Sequence, residues 1–207
     1  PSAGEVLAVS AFYKYFIDPI EQVTVGNGVD DLTFANGASA ENLGVELEAQ
    51  LDLERLTPSQ RYLHLNANLA LVRSKVRFSE EDAARVADPG RGMIAQSPYV
   101  ANVALRFEHP EKRVSANLVY NVVGPRVAYL STRFTEDTVV PDTYELAFHS
   151  LDFVGSFVVN DHLSLRLTAR NLLNSRRRFV ERTTHGDAMS NAFGPGVDVS
   201  VSLSLSY

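Results

Sequence analysis

The C-terminal stretch of the chain, Val197-Asp198-Val199-Ser200-Val201-Ser202-Leu203-Ser204-Leu205-Ser206-Tyr207, alternates apolar and polar residues without interruption. Successive side chains of a β-strand point to opposite faces, so one face of this strand is apolar and the other carries hydroxyls and one carboxylate. In a soluble sandwich the apolar face would lie in the core. In an outer-membrane barrel it would face lipid, and the polar face would line a hydrated lumen. The rest of the chain decides between these two folds.

The composition excludes several classes of protein. The chain has 207 residues and no Cys, so disulfides, Cys-containing metal sites and thiol catalysis are excluded. It contains no apolar run of about 18 residues, which excludes an α-helical membrane protein. The net charge of -6 argues against nucleic acid as a partner. The mean hydropathy of -0.08 is compatible with a barrel, because polar residues facing a lumen dilute the apolar ones.

The same alternation recurs along the chain and predicts about eight strands. They cover 5–17, 36–54, 62–77, 99–108, 114–122, 145–159, 163–170 and 197–207. The connections alternate in length: 57–61, 109–112 and 160–162 are short, whereas 18–35, 78–97, 124–144 and 175–196 are long. The sequence of residues 80–87 is compatible with a short helix. Outer-membrane barrels have short periplasmic turns and long extracellular loops, whereas a sandwich has no reason to alternate them. We therefore expect an all-β fold that forms part or all of an antiparallel transmembrane β-barrel.

The polar faces of the predicted strands carry the candidate site residues. The second strand presents four carboxylates, Glu46, Glu48, Asp52 and Glu54, which stay solvated along a hydrated lumen. Catalytic carboxylates are the alternative interpretation, but a lumen wall accounts better for neighbouring acids on one strand face. Further lumen-facing candidates on later strands are His64, Arg106, Arg166 and Arg170. These arginines are able to pair with the acids of the second strand.

The histidines and one arginine run are either ligand-binding residues or solvated side chains without a specific role. The five His are scattered without ligand spacing, so we predict neither a metal site nor a cofactor. His64 and His185 are candidates for contact with an iron complex, although solvated side chains explain them as well. Arg176-Arg177-Arg178 lies in a predicted extracellular loop, where it would hold lipopolysaccharide phosphates or an anionic ligand, or form a solvated charge run.

Four stretches, in chain order, resemble the C-terminal part of TonB-dependent outer-membrane receptors. Phe12-Tyr13-Lys14, followed by Ile17-Asp18-Pro19-Ile20-Glu21, is similar to a strand-to-loop segment of that family. Asn36-Gly37 and Asn42-Leu43-Gly44-Val45-Glu46-Leu47-Glu48-Ala49 resemble a recurring strand. Gln96-Ser97-Pro98-Tyr99-Val100-Ala101-Asn102 resembles a strand opening, and Arg170-Asn171-Leu172-Leu173-Asn174 a stretch near the C-terminus. Tyr207 stands where this family most often has Phe.

The resemblance implies a function and a set of partners. It implies a non-enzymatic receptor of the Gram-negative outer membrane that takes up a scarce, bulky solute, most often a ferric siderophore, with energy supplied through TonB. Residues 1–207 would be the C-terminal part of a barrel of about 22 strands, and the N-terminal plug that contacts TonB lies outside this sequence. The plug backbone is then a second candidate partner for the lumen-facing arginines. Tyr207 would be the terminal aromatic read by the barrel assembly machinery.

Two alternatives remain open from the sequence. A complete outer-membrane barrel can be built from about eight strands. A soluble β-sandwich that acts as a binding module would use the same alternation to form a core. We expect a piece of a longer receptor, because Pro1-Ser2-Ala3-Gly4 contains neither an initiator Met nor a signal peptide.

Overall fold

The computed structural model describes residues 4–24, 32–55, 62–83, 88, 90–109, 111–130, 141–183 and 186–206. Its strands are β1 (Val6–Ile17), β2 (Ile20–Thr24), β3 (Leu32–Asn36), β4 (Ser39–Asp52), β5 (Leu63–Arg77), β6 (Tyr99–His109), β7 (Val114–Val123), β8 (Arg126–Tyr129), β9 (Thr143–Glu145), β10 (Phe148–Asn160), β11 (Leu163–Arg170), β12 (Arg177–Thr183), β13 (Gly186–Phe193) and β14 (Asp198–Leu205). A 3-10 turn spans Leu53–Arg55 and a single helical turn, α1, spans Glu80–Ala83.

Eight strands form one antiparallel sheet in the order β1-β4-β5-β6-β7-β10-β11-β14. These are the eight strands that the alternation predicts, and each pairs with its predicted neighbour along the chain. The sixth begins at Phe148, because Thr143–Glu145 forms the separate strand β9. The predicted helix at 80–87 begins as expected at Glu80, while residues 84–87 lie outside the described part of the chain.

The strand register gives the sheet one apolar face and one polar face. One row of paired residues crosses the whole apolar face after β1: Leu51, Leu65, Leu105, Leu118, Phe153, Ala169 and Val199. The neighbouring row on the polar face runs through Ala8, Glu48, Asn68, Asn102 and Asn121. Because side chains alternate with period two, a one-residue slip of any strand would place its polar set on the apolar face.

The apolar face is exposed. Leu7 is 62% exposed and Leu203 is 69% exposed, although both would be buried in a soluble core. Among the described residues, the buried apolar side chains are confined to the end of the sheet that carries the long connections and to those connections: Ala40, Val76, Val122, Val127, Leu130, Ala169, Phe179 and Val180. We call this end the loop end, and the opposite end the turn end. A continuous exposed apolar face of this size requires a partner or a membrane.

The long connections contain strands that the sequence does not predict. The first holds the hairpin β2–β3, and β8, β9, β12 and β13 form a second sheet in the order β13-β12-β9-β8. This smaller sheet joins the connection after β7 to the connection after β11. From the sequence, 124–144 and 175–196 are recognised only as long connections, and the strands of three to eight residues within them are not identified.

The edges of the large sheet do not meet. In the described part of the chain, β1 pairs with β4 only and β14 pairs with β11 only, so the sheet is not closed into a barrel. The apolar face also has no second sheet packed against it among the described residues. The architecture therefore matches neither a closed eight-stranded barrel nor a sandwich, and it corresponds to a part of a larger barrel.

The described residues contain no helix with the length and apolar character needed to cross a membrane.

Candidate functional site

The polar face of β4 forms an acidic wall, as the sequence predicts. Glu46, Glu48 and Asp52 point to this face, and Glu54 follows in the 3-10 turn. Ser10 on β1 donates a hydrogen bond to Glu46 Oε2 (3.4 Å), and Gln50 Nε2 donates to Glu48 Oε1 (3.0 Å). All four carboxylates are exposed. This arrangement attracts cations or hydrogen-bond donors and lacks the paired geometry of an acid–base centre.

His64 joins the acidic wall to the first of the arginines. Its Nδ1 lies 2.5 Å from Asp52 Oδ1, and both residues are opposite one another on β4 and β5. Arg106 follows on β6, directly opposite His64. The guanidinium of Arg106 pairs with Glu108 of its own strand. Within the described residues, the ion pair of Arg106 thus lies within β6 and does not reach the β4 acids.

The other two predicted arginines lie on β11, near the opposite edge of the sheet from β4. Arg166 is opposite Ser156 and Ser202, and together with Ser164 and Ser204 these residues line a shallow cavity of about 420 Å³. Arg170 is opposite Asp198 of β14. Since β4 and β11 are five strands apart, about 24 Å separates their backbones along the sheet. The sheet thus places the β4 acids and these arginines at separate positions, where they do not neutralise one another.

The arginine run after β11 enters the smaller sheet. Arg177 begins β12 and lies 3.4 Å from Glu145 of β9, which also binds Arg126 of β8 at 2.8 Å. The Arg177 guanidinium also lies over the ring of Phe148 at 5.6 Å from its centroid. Arg176 and Arg178 remain exposed. Part of the run is therefore structural, since it holds β12 to β9. His185 and Tyr207 lie outside the described residues.

Sequence reasoning missed a buried ion pair that joins two of the long connections. Arg91 Nη1 donates to Glu21 Oε2 at 3.0 Å, and both side chains are 2% exposed. The backbone N–H of Ile94 also donates to Glu21 Oε2 (3.5 Å), and the Arg91 guanidinium lies 5.2 Å from the Phe78 ring centroid. Its only sequence signal was a carboxylate in one predicted loop and a guanidinium in another, which is too weak to predict a pair.

Tyr144 shows that a third connection reaches the same region. Burial raises the pKa of its phenol, Asp142 raises it further, and Arg182 opposes the shift. The Arg182 guanidinium lies 3.9 Å from the ring centroid. Weaker contributions come from Asp88 and Arg91, which belong to the connection after β5. The phenol is therefore neutral at physiological pH, and the long connections form one charged cluster above the sheet.

The motifs singled out in the sequence prove to be structural residues of the loop end. Asn171 has φ of 52° and is buried; its Nδ2 donates to the carbonyls of Ser175 (3.2 Å) and Gly196 (2.9 Å), and its Oδ1 accepts from Ser175 N (2.9 Å). Asn42 Nδ2 donates to Gln96 Oε1 at 3.5 Å, so the second and third motifs touch. Ser97 Oγ donates to the Gly124 carbonyl at 3.0 Å. These hydrogen bonds hold the loop ends of the strands in place.

No group of three or more His, Asp or Glu residues within the described ranges is arranged to hold a metal ion. An antiparallel sheet with an exposed apolar face, a hydrated polar face, short turns at one end and long connections at the other defines part of a membrane β-barrel of the outer-membrane type.

The family follows from the sequence itself. Residues 2–172 match the family model described as "TonB dependent receptor-like, beta-barrel", and the chain belongs to this family. The resemblance and the all-β antiparallel fold expected from the sequence are confirmed. The family and the structural neighbours are receptors and transporters, not enzymes. No curated protein matches the sequence.

Solved structures with the same fold are much longer than this chain. The ferric yersiniabactin uptake receptor FyuA from Yersinia pestis is similar with a TM-score of 0.63 and 17% identity, over 99% of this chain and 28% of that one. A mutant of the ferric enterobactin receptor PfeA from Pseudomonas aeruginosa has a TM-score of 0.62 and 15% identity, over 100% of this chain and 29% of that one. The FrpB iron transporter from Neisseria meningitidis (F3-3 variant) has a TM-score of 0.61 and 15% identity, over 97% of this chain and 28% of that one. The chain thus spans less than a third of each structure, and at these identities the likeness shows the fold alone.

Proposed function

We propose that residues 1–207 are the C-terminal barrel segment of a TonB-dependent receptor that imports a ferric siderophore or a similar bulky, scarce solute across a Gram-negative outer membrane. The observation that carries this proposal is the two-faced sheet, in which one apolar row continues across seven strands, from β4 to β14. Support for the solute class comes from the neighbours, which include a receptor crystallised with enterobactin. On this proposal β1 and β14 pair with strands of the receptor outside this chain.

The polar face would then be the lumen wall against which a plug domain packs. The acids on β4 and the arginines on β11 are 5 strands apart in the sheet order, so each set is available to a partner inside the lumen. Glu46, Glu48, Asp52, Glu54 and His64 would meet donors or cations, and Arg106, Arg166 and Arg170 would meet carbonyls or acids. TonB would contact the plug and not this segment. Arg176, Arg178 and His185 remain candidates for ligand or lipopolysaccharide contact from the loop side.

An uptake experiment tests the proposal. The gene of the full-length receptor is deleted, and growth under iron limitation is compared across a panel of ferric siderophores. We expect growth on one siderophore, or one class of them, to be lost and to be restored by the full-length gene only in cells that contain TonB. Undiminished growth on every siderophore would refute the iron–siderophore assignment, and restoration without TonB would refute the transport mechanism. Membrane fractionation of the tagged receptor tests its localisation independently.

A further inference from the structure

The apolar face changes character at the loop end of β5. From Leu63 to Leu71 every second residue of this strand is apolar, and the next three positions on the same face are Arg73, Lys75 and Arg77. Among the described residues of the large sheet, Lys and Arg occupy loop-end positions of the apolar face on β5 alone. Other strands place aromatic side chains there, such as Tyr13 and Tyr15 on β1 and Tyr99 on β6. We call Arg73, Lys75 and Arg77 the β5 cation row.

The height of this row agrees with the top of a hydrocarbon layer. The strand rises about 27 Å from Leu63 to Leu71, which at a tilt of about 40° corresponds to about 20 Å of height, within the apolar band of about 25 Å that such barrels present. Arg73 lies about 5 Å above Leu71, and Lys75 and Arg77 lie about 10 and 15 Å above it. The apolar stripe therefore ends where lipid ends, and the cations begin where charged headgroups begin.

The surroundings of the row leave it open and positive. All three side chains are exposed, and Arg77 pairs with Glu41, the carboxylate that shares this patch on β4. Arg73 and Lys75 form no ion pair with any described residue. In register, Arg73 lies beside Leu43 and Tyr13, and Lys75 lies beside Glu41 and Tyr15. Three cations against one carboxylate leave an excess of positive charge next to aromatic rings of the kind found at membrane interfaces.

The backbone beneath the row is fixed in place by the loops. The N–H of Val76 donates to the Arg91 carbonyl (3.0 Å), and the N–H of Ala38 donates to the Arg77 carbonyl (2.9 Å). Ser74 Oγ accepts from the N–H of Met93 (3.0 Å), and Val76 is fully buried. The residues between the cations therefore anchor this part of β5 from the polar side, so the backbone that carries the three cations is fixed before binding.

We propose that the β5 cation row binds the phosphates of lipopolysaccharide in the outer leaflet of the membrane. This proposal rests on the proposed outer-membrane location. Arginine binds phosphate oxygens bidentately, lysine adds a compact charge, and the apolar stripe below receives the acyl chains of the same molecule. The row is a better lipid-phosphate site than the Arg176-Arg177-Arg178 run, because Arg177 and Arg178 belong to the smaller sheet and do not continue the apolar stripe that would receive acyl chains.

The test uses the full-length receptor purified in detergent and titrated with lipopolysaccharide, dephosphorylated lipopolysaccharide and inorganic phosphate. The variant is Arg73→Gln/Lys75→Gln/Arg77→Gln. The control is Lys112→Gln/Arg113→Gln, which removes two exposed cations from the turn end of the sheet and likewise includes one ion-paired arginine. Each cation near an anionic membrane surface contributes about fivefold in affinity, so we expect the variant to bind lipopolysaccharide about 100-fold more weakly. The control should keep the wild-type affinity, and dephosphorylated lipopolysaccharide should bind the wild type as weakly as intact lipopolysaccharide binds the variant.

Several outcomes would overturn the proposal. Unchanged affinity in the variant, or equal losses in variant and control, would show that this row is not the site. Inorganic phosphate that displaces lipopolysaccharide at equal concentration would show a free-anion site instead of a lipid site. If the triple variant fails to fold, Lys75→Gln alone should lower the affinity about fivefold, and no change there would also refute the proposal. A receptor found outside the outer membrane would contradict the proposed function, whereas a correctly located receptor with an inactive row contradicts only this inference.

Discussion

Replacing Glu21 by Gln should loosen the loop cluster, because it leaves the buried Arg91 guanidinium without its counter-charge. Both side chains are 2% exposed, and Arg91 Nε and Nη2 already have no hydrogen-bond partner among the described residues. Breaking a buried ion pair on one side costs about 3 to 5 kcal/mol. The affected region is the contact between β2 and residues 91–94, so the cost falls on local opening of the loops and not on the large sheet.

Hydrogen exchange of the full-length receptor in detergent measures this local stability. A loss of about 3 kcal/mol predicts exchange about 100-fold faster for amides of β2 and of residues 91–94, with unchanged protection in β5 and β6 below Leu71. The control is Glu80→Gln, which removes an exposed carboxylate from the same connection and should change opening by no more than about 0.5 kcal/mol. The double variant Glu21→Leu/Arg91→Met should recover most of the protection, because it removes both buried charges.

Two results would refute this reasoning. If Glu21→Gln leaves exchange in the loops unchanged, the pair does not stabilise their contact. If the double variant is as unprotected as Glu21→Gln, the loss arises from packing at position 21 and not from an uncompensated charge. The comparison of the two variants therefore separates the electrostatic contribution from the steric one.

Three further predictions concern the strand ends and the sheet. Gly44→Ala should destabilise the folded barrel by about 1 to 3 kcal/mol in urea unfolding. A Cβ at Gly44 would lie 2.6 Å from Phe12 Cε1 and 3.0 Å from the Leu71 carbonyl oxygen. Phe12→Leu in the same chain should relieve part of this destabilisation. Asn171→Ala should cost about 1 to 3 kcal/mol, since it removes three hydrogen bonds and leaves a φ of 52° on a residue that disfavours it; an unchanged unfolding midpoint would contradict the structural role of this motif. Deleting Tyr207 in the full-length receptor should lower its level in the outer membrane, and an unchanged level in membrane fractions would contradict its role as an assembly signal.

The large sheet was predictable because the alternation within each strand identifies the apolar and the polar face of that strand. Glu46, Leu47 and Glu48 alternate in the sequence, and the period of two fixes which face each occupies before any partner is known. Antiparallel neighbours joined by short turns then pair in chain order, as β10 and β11 do across Asn160 and Leu163. The apolar and polar rows follow from these two local properties, and so does the likeness to a membrane barrel.

The smaller sheet was not predictable for the opposite reason. Thr143–Glu145 is too short to show a period, and it becomes a strand only because β8 and β12 flank it. The same holds for the charged contacts of the loops. Glu21 and Arg91 are 70 residues apart, and the default expectation for charges in polar loops is that water solvates them. The contact of Arg177 with Glu145 was equally hidden, because Glu145 belongs to this unpredicted strand.

The large sheet offers the acids of β4 few cations of its own on the polar face. The neighbouring β5 and β6 offer the β4 acids only His64 and Arg106, and Arg106 is already paired with Glu108. Arg166 is surrounded by serine hydroxyls in register. Isolated acids and isolated cations that stay solvated cost little in an open lumen, but they become strong, oriented contacts once a packed domain excludes water. On the proposed function, the exposed acids Glu46 and Glu48 and the serine-lined Arg166 are therefore available to a plug domain inside the lumen.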